Sequence, residues 1–471
     1  MNTNLLSNVV LFSAAFLLVG CNSNETTIVE KEPTIIEGDH DDEHDHDGEH
    51  DHDGEHDHDG EHDHDGEHDH DGEHDHDGEH DHDGELSSGR LAIAELDQPV
   101  IRIFDLEDNT LLETVNLTNP ASAVYASPEN RYAVAVQQEQ GRVEFVDGGL
   151  WQELHDDHYD QHSDTPVLLS YSIQGVKPAQ YAPRGEYAAL FFNGDADTME
   201  NASLTLFSDE SIADEQLIAE HDFDTYMQGT AEVRGEFVLT TLRQADAESS
   251  LPDQVAVFEL HDDHLHQEQV LDVACPELEG SFQNEDHILF ACNDGILAIE
   301  QDGSTFTASK IPYPADIESD RISLITGSEH STTMLGLTPR GIFIIDPVAS
   351  SISHFERSAE ENAYPPRYAF DAHHEHLLLL DSNGALNAYS AEDDWELEQT
   401  IPVFEALADD DRPLIISCKA HEHVYIIHEQ EVTKVDLHDG EVVGHFDLDF
   451  IPSNAAWLGV AAEAEHEHEH E

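Results

Sequence analysis

Residues 121–136 read ASAVYASPENRYAVAV: a run of small residues, a polar turn, then a continuous apolar run. A short apolar run bounded by turn residues suits a strand buried on both faces. The same opening recurs as KPAQYAPRGEYAALFF (177–192), QGTAEVRGEFVLTT (228–241), EGSFQNEDHILFAC (279–292), SLITGSEHSTTMLGL (323–337), PRYAFDAHHEHLLLL (366–380) and PLIISCKAHEHVYII (413–427). An eighth unit joins SNAAWLGV (453–460) to RLAIAEL (90–96), so that the two ends of the region close one sheet. Long helical periodicity is absent. Eight units between residues 90 and 460 take about 46 residues each, the spacing of propeller blades. The expected fold is therefore all-β, an eight-bladed β-propeller. Seven blades is the alternative count, and a jelly roll or a pair of sandwiches is the competing all-β architecture.

Outside the repeats the chain changes character. Val9–Val19 is an apolar run of signal-peptide length, too short to span a bilayer comfortably. Leu18-Val19-Gly20-Cys21 resembles a bacterial lipobox, although no Lys or Arg precedes the apolar run. That resemblance implies a lipoprotein signal peptide over residues 1–20 and acylation of Cys21, with several acyl chains giving stable anchoring. Asn22 implies sorting to the outer membrane. An ordinary cleaved signal peptide is the competing reading. Residues 21–36 then form a linker.

Residues 37–85 are the most biased part of the chain. Glu-His-Asp-His-Asp-Gly repeats seven times from Glu43 to Gly84. The repeat has no apolar side chain to bury, so a disordered arm is expected. Its imidazoles and carboxylates are zinc ligand types. His44, His46, His50, His52, His56, His58, His62, His64, His68, His70, His74, His76, His80 and His82 are expected to form weak, exchanging metal sites. Calcium prefers all-oxygen shells, which the interleaved histidines argue against. Residues 461–471 form a second, shorter His/Glu-rich tail.

The formal net charge is −88; the arm holds 26 Asp/Glu and no Lys/Arg, so without it −62 remains. Nucleic acid and anionic lipid surfaces are poor partners for such a field, and cations or basic protein patches are good ones. Salt adaptation explains the background acidity equally well. Besides Cys21, three cysteines remain. Cys275 and Cys292 flank a short strand pair, and an oxidising compartment favours a disulfide between them. Cys418 is then a buried free thiol; other pairings stay open.

Eighteen histidines lie outside the arm and the tail. In a four-stranded blade, the turns joining strands one to two and three to four emerge on one face. His155, His158 and His162 fall in the third-to-fourth loop of the second unit, and His261, His264 and His266 in that of the fourth. His287, His330, His373, His374, His421 and His423 fall in or beside first-to-second turns, and His438 in the last third-to-fourth turn. One face thus collects most of the histidines and is expected to handle metal. Two of its loops share a sequence: ELHDDH at 153–158 and at 259–264. His-x-x-His across a turn lets two imidazoles converge on one ion, with Asp157 supplying an oxygen and His162 or His266 a third imidazole. Carboxylates such as Asp156 or Asp262 would hold the ring tautomers. Solvated polar loops are the competing reading.

The stretches AVYASPENRYAVAVQQEQGRVEFVDGGLW (123–151), DQVAVFELHDDHLHQEQ (253–269), CPELEG (275–280), CNDGILAI (292–299) and LLLLDSNGALNAYS (377–390), in that order, resemble a family of periplasmic zinc metallochaperones. These accompany bacterial zinc ABC transporters. The resemblance covers essentially residues 90–471. It implies a propeller, zinc as cargo, no catalysis, and hand-over to the transporter's solute-binding protein. Its metal ligands carry over to His155 and His158, and to His261, His264 and His266. Two positions depart from the family pattern: Gln228 and Glu279 stand where histidines are usual.

The expected function is a monomeric, lipid-anchored periplasmic zinc chaperone that binds no nucleic acid. A zinc store without a dedicated acceptor is the first alternative. A propeller enzyme of lactonase or dehydrogenase type is the second, though no haem Cys-x-x-Cys-His is present.

Overall fold

A computed structural model describes residues 87–155, 158–315, 317, 321–338, 341–357, 367–408 and 411–462. The signal segment, Cys21, the repeat arm, Asp156, Asp157 and the residues from 463 onward lie outside this description. The described chain forms an eight-bladed β-propeller, each blade a four-stranded antiparallel sheet. The first strands of neighbouring blades pack beside one another around the common axis.

Every quoted opening forms the inner two strands of one blade. In the second blade these are Ala123–Ala126 and Tyr132–Gln137. In the fourth they are Ala231–Arg234 and Phe237–Leu242, and in the seventh Arg367–Phe370 and His376–Leu380. The physical reason is burial from both sides. A blade's second strand is sandwiched between the neighbouring blades, so Tyr132–Gln137 is buried at all six positions. Outer strands such as Thr110–Asn116 face water and are mostly exposed. Apolar clusters fill the wedges between blades; Ala189, Phe191, Val238 and Phe258 lie between the third and fourth, and Leu378, Leu380, Val424 and Ile426 between the seventh and eighth.

The first blade is built from both ends of the described chain. Its inner strand is Pro452–Leu458, paired antiparallel with Arg90–Glu95 in the register Arg90↔Leu458 and Ala92↔Ala456. Buried Trp457 donates its indole N–H to the Ser88 carbonyl at 2.9 Å. Gly89 makes this possible: its φ is +85°, and a Cβ there would stand 2.4 Å from the Trp457 ring. Cys275, in the connection into the fifth blade, is joined in a disulfide to Cys292, the last residue of that blade's second strand. Cys418 is a buried free thiol.

Candidate metal centre

The two ELHDDH segments, expected as loops, are β-hairpins. In the fourth blade Gln254–His261 and His264–Val270 are its third and outer strands, and Asp262-Asp263 makes the turn. Asp262 takes φ 51°, the left-handed conformation that a tight two-residue hairpin turn requires. The register pairs His261 with His264, Leu260 with Leu265 and Glu259 with His266. Side chains alternate faces along a strand and share a face across it. Leu265 is buried, and with partly buried Leu260 it packs on the core between the third and fourth blades. Glu259, His261, His264, His266 and Glu268 take the opposite, solvent-facing side.

On that side the side chains already approach one another. His261 Nε2 is 3.3 Å from Glu259 Oε2, and His266 Nδ1 is 2.7 Å from Glu268 Oε1. One ligand atom each from His261, His266 and Glu268 lies within 4.8 Å of the others, with all three residues exposed. Zinc–nitrogen and zinc–oxygen bonds are about 2.0–2.2 Å, so a small rotamer adjustment closes this trio on one ion and leaves a position open. His264 stands beside the trio, its ring centroid 6.1 Å from that of His261. Glu220, on the outer strand of the third blade, is the backbone bridge partner of His264. The hairpin tip is thereby braced against the neighbouring blade.

The first ELHDDH segment forms an extra hairpin, Leu150–His155 and His158–Ser163, inserted between the third and outer strands of the second blade. The register pairs His155 with His158, Glu153 with Asp160 and Trp151 with His162. By position in the register, Glu153, His155, His158, Asp160 and His162 correspond to Glu259, His261, His264, His266 and Glu268. Asp157 lies outside the described residues. His162 is separated from the tip: its ring stacks on Trp151 at 3.9 Å between centroids, and its Nε2 is 3.8 Å from Glu153 Oε2. Four residue steps of strand, roughly 13 Å, separate the Trp151 and His155 positions. The tip pair's nearer neighbours in register are therefore Glu153 and Asp160.

Arg90 fixes the base of this hairpin. Its guanidinium donates to the Gly148 carbonyl, to the Asp164 carbonyl at 2.7 Å and to Ser163 Oγ at 3.1 Å. Arg90 is the first residue of its strand, so that strand begins at the foot of the His155/His158 hairpin. Both hairpins are third-to-outer connections, and the meander order of the blades brings them out at the same end of their sheets.

Several other histidines each meet one carboxylate or one ring. His287 is buried, with Nε2 3.6 Å from Glu300. His330 Nδ1 meets Glu285 at 3.2 Å. His374 stacks on Phe370 at 5.5 Å, and burial lowers its pKa. His423 faces Asp436 at 3.4 Å, and His438 faces Glu422 at 3.6 Å. Glu279, one of the two departures from the family pattern, is bound by the Arg321 guanidinium, which also holds Glu277 at 3.1 Å. Burial pushes the Glu279 carboxyl up. Gln228 is exposed.

The carboxylates of the ladders went unread in the sequence: Glu153, Asp160, Glu259 and Glu268. Their signal is the period-two spacing Glu-x-His-x-x-His-x-(Asp/His)-x-(His/Glu), which becomes visible once the segment is read as two strands rather than a loop.

No protein-family model matches the chain. The zinc chaperone AztD of Citrobacter koseri is 26% identical over 267 residues, 56% of this chain and 61% of that protein. The match thus spans about three fifths of the curated relative's length. Two crystal structures of Citrobacter koseri AztD, one of them the apo form, superpose with TM-scores of 0.65 and 0.64 at 21% identity, covering 80% of this chain and 99% of theirs. The dihydro-heme d1 dehydrogenase NirN in complex with DHE superposes with a TM-score of 0.51 at 12% identity, covering 79% of this chain and 75% of that one. The chain is AztD-like in sequence and in fold.

Proposed function

We propose that this AztD-like propeller is a non-catalytic zinc metallochaperone of the periplasm, anchored to the outer membrane through Cys21. Its cargo passes to the solute-binding protein of a zinc ABC transporter. The observation that carries the reading is the repeated pattern: two hairpins at one end of the propeller share Glu-x-His-x-x-His in register, each followed by one further histidine and one further carboxylate. The likeness to a protein named as a zinc chaperone supports it.

In this reading residues 37–85 capture zinc in shallow sites, and the hairpins bind it more tightly. Arg90 leads the chain from the repeats to the foot of the first hairpin, which keeps the local concentration of captured zinc high there. His261, His266 and Glu268 leave a coordination position free, so an acceptor's ligand can join before a donor ligand leaves. Imidazole binds metal only when neutral, so loading fails below about pH 6.5. The exposure of all three residues favours exchange over storage.

The test is zinc competition against a chromogenic chelator, with the full chain and with a chain lacking residues 37–85. Deletion is expected to remove a weak, many-site phase and to leave tight binding. Replacing His155, His158, His261 and His266 together by Asn should remove the tight phase. Loss of all zinc binding with the repeats alone would refute the hairpin centre. Absence of direct transfer to a zinc-specific solute-binding protein would leave a store.

A further inference from the structure

The turn joining the inner and second strands of the seventh blade reads Asp371-Ala372-His373-His374-Glu375-His376. Asp371 is buried and closes the turn. Its Oδ1 accepts the His376 backbone N–H at 3.2 Å, and its Oδ2 lies 2.7 Å from His376 Nδ1. The second imidazole nitrogen, Nε2, lies 2.9 Å from Glu398 Oε2 on the blade's outer strand. Glu375 is exposed, and one ligand atom each from Asp371, Glu375 and His376 lies within 4.8 Å of the others.

We propose that this turn is a further zinc site, separate from both hairpins, in which Asp371, Glu375 and His376 ligate one ion and Glu398 positions the imidazole. Two carboxylates and one imidazole from the protein, with a position left for water, form a donor set that zinc accepts. A carboxylate on the far nitrogen of a ligating histidine fixes the ring and its tautomer. Here Glu398 occupies that place, 2.9 Å from Nε2, and Nδ1 is turned toward Asp371. Zinc enters as the proton between Nδ1 and Asp371 leaves to solvent. The imidazole disfavours calcium, which takes six to eight oxygens.

The turn is also less exposed than the hairpin trio. Asp371 is buried and tied to the backbone, and both nitrogens of His376 have fixed partners, whereas His261, His266 and Glu268 are all exposed. This site does not depend on the chaperone reading. His376 drew no attention in the sequence because it opens the apolar run of a strand and resembles a solvated strand end.

The experiment uses the full chain, crystallised with zinc, with anomalous scattering recorded on either side of the zinc edge. A peak within bonding distance of Asp371, Glu375 and His376 is expected. In solution, Glu398→Gln should weaken one zinc equivalent by about 10–100-fold in chelator competition, and Glu375→Gln should weaken the same equivalent. Both side chains are exposed, so metal-free thermal unfolding should hardly move in either variant. Zinc at the hairpins with none at the turn, or both variants titrating like the parent, overturns the proposal. Zinc at the turn with none at the hairpins upholds it and removes the chaperone reading instead.

Discussion

Both carboxylate oxygens of Glu232, on the inner strand of the fourth blade, are engaged by the fifth. Ser281 Oγ donates to one at 2.7 Å and Gln283 Nε2 to the other at 3.0 Å. Burial outweighs these bonds and pushes the carboxyl up from 4.5 to about 7. Between those pH values the folded chain holds a proton that the unfolded chain has released. The group's stabilising contribution is therefore complete below about 4.5 and is lost as pH rises through 7. Glu232→Gln keeps the shape and removes the buried charge. The variant should exceed the parent in stability by ~1–3 kcal/mol at pH 8, with the gain shrinking toward pH 5. Urea unfolding at the two pH values measures this, and an equal difference at both would show that Glu232 does not titrate there.

At the scale of elements, the apolar second strands made the blades legible. Burial on both sides leaves an uninterrupted run such as HLLLL at His376–Leu380, which survives sequence divergence. The joining of residues 453–460 to 90–96 was legible for the same reason. The inserted hairpin of the second blade was not, because neither face is uniform: Trp151 shares the side of Glu153 and His162, and Gln152 and Gln161 share the side of Leu150 and Tyr159. Two mixed faces carry no clean hydrophobic alternation to read. The histidine pairs of the hairpins were visible by residue type, but the carboxylates beside them needed the register. His162 shows the limit of spacing alone, since Trp151 holds its ring away from the tip. Arg90 gives a test of the hairpin as a unit. Arg90→Ala leaves the Gly148 and Asp164 carbonyls without a donor, at a cost of about 1–3 kcal/mol. Amide hydrogen exchange across Leu150–Ser163 should quicken, and zinc bound at that hairpin should loosen while the fourth-blade hairpin is unaffected. Unchanged exchange would separate the two elements.

For the whole molecule, charge and ring closure act against each other. A net charge of −88 repels itself, and raising ionic strength from 0.01 to 0.15 M shortens the screening length from about 30 to 8 Å. The melting temperature should therefore rise with sodium chloride; a flat salt profile in calorimetry would count against net repulsion as a destabilising force. Trp457→Ala empties the wedge where the ring closes and should cost about 3–5 kcal/mol, again read by urea unfolding. The pairing of Arg90–Glu95 with Pro452–Leu458 also orders events in time. The first blade has no inner strand until the ribosome has made residue 458, so the disc cannot close on a nascent chain. In the periplasmic reading proposed above, the chain is threaded unfolded through a secretion pore, and such a delay helps it. Moving Pro452–Leu458 ahead of Arg90 by circular permutation should let the first blade form early, and pulse-chase export assays would then show slower translocation.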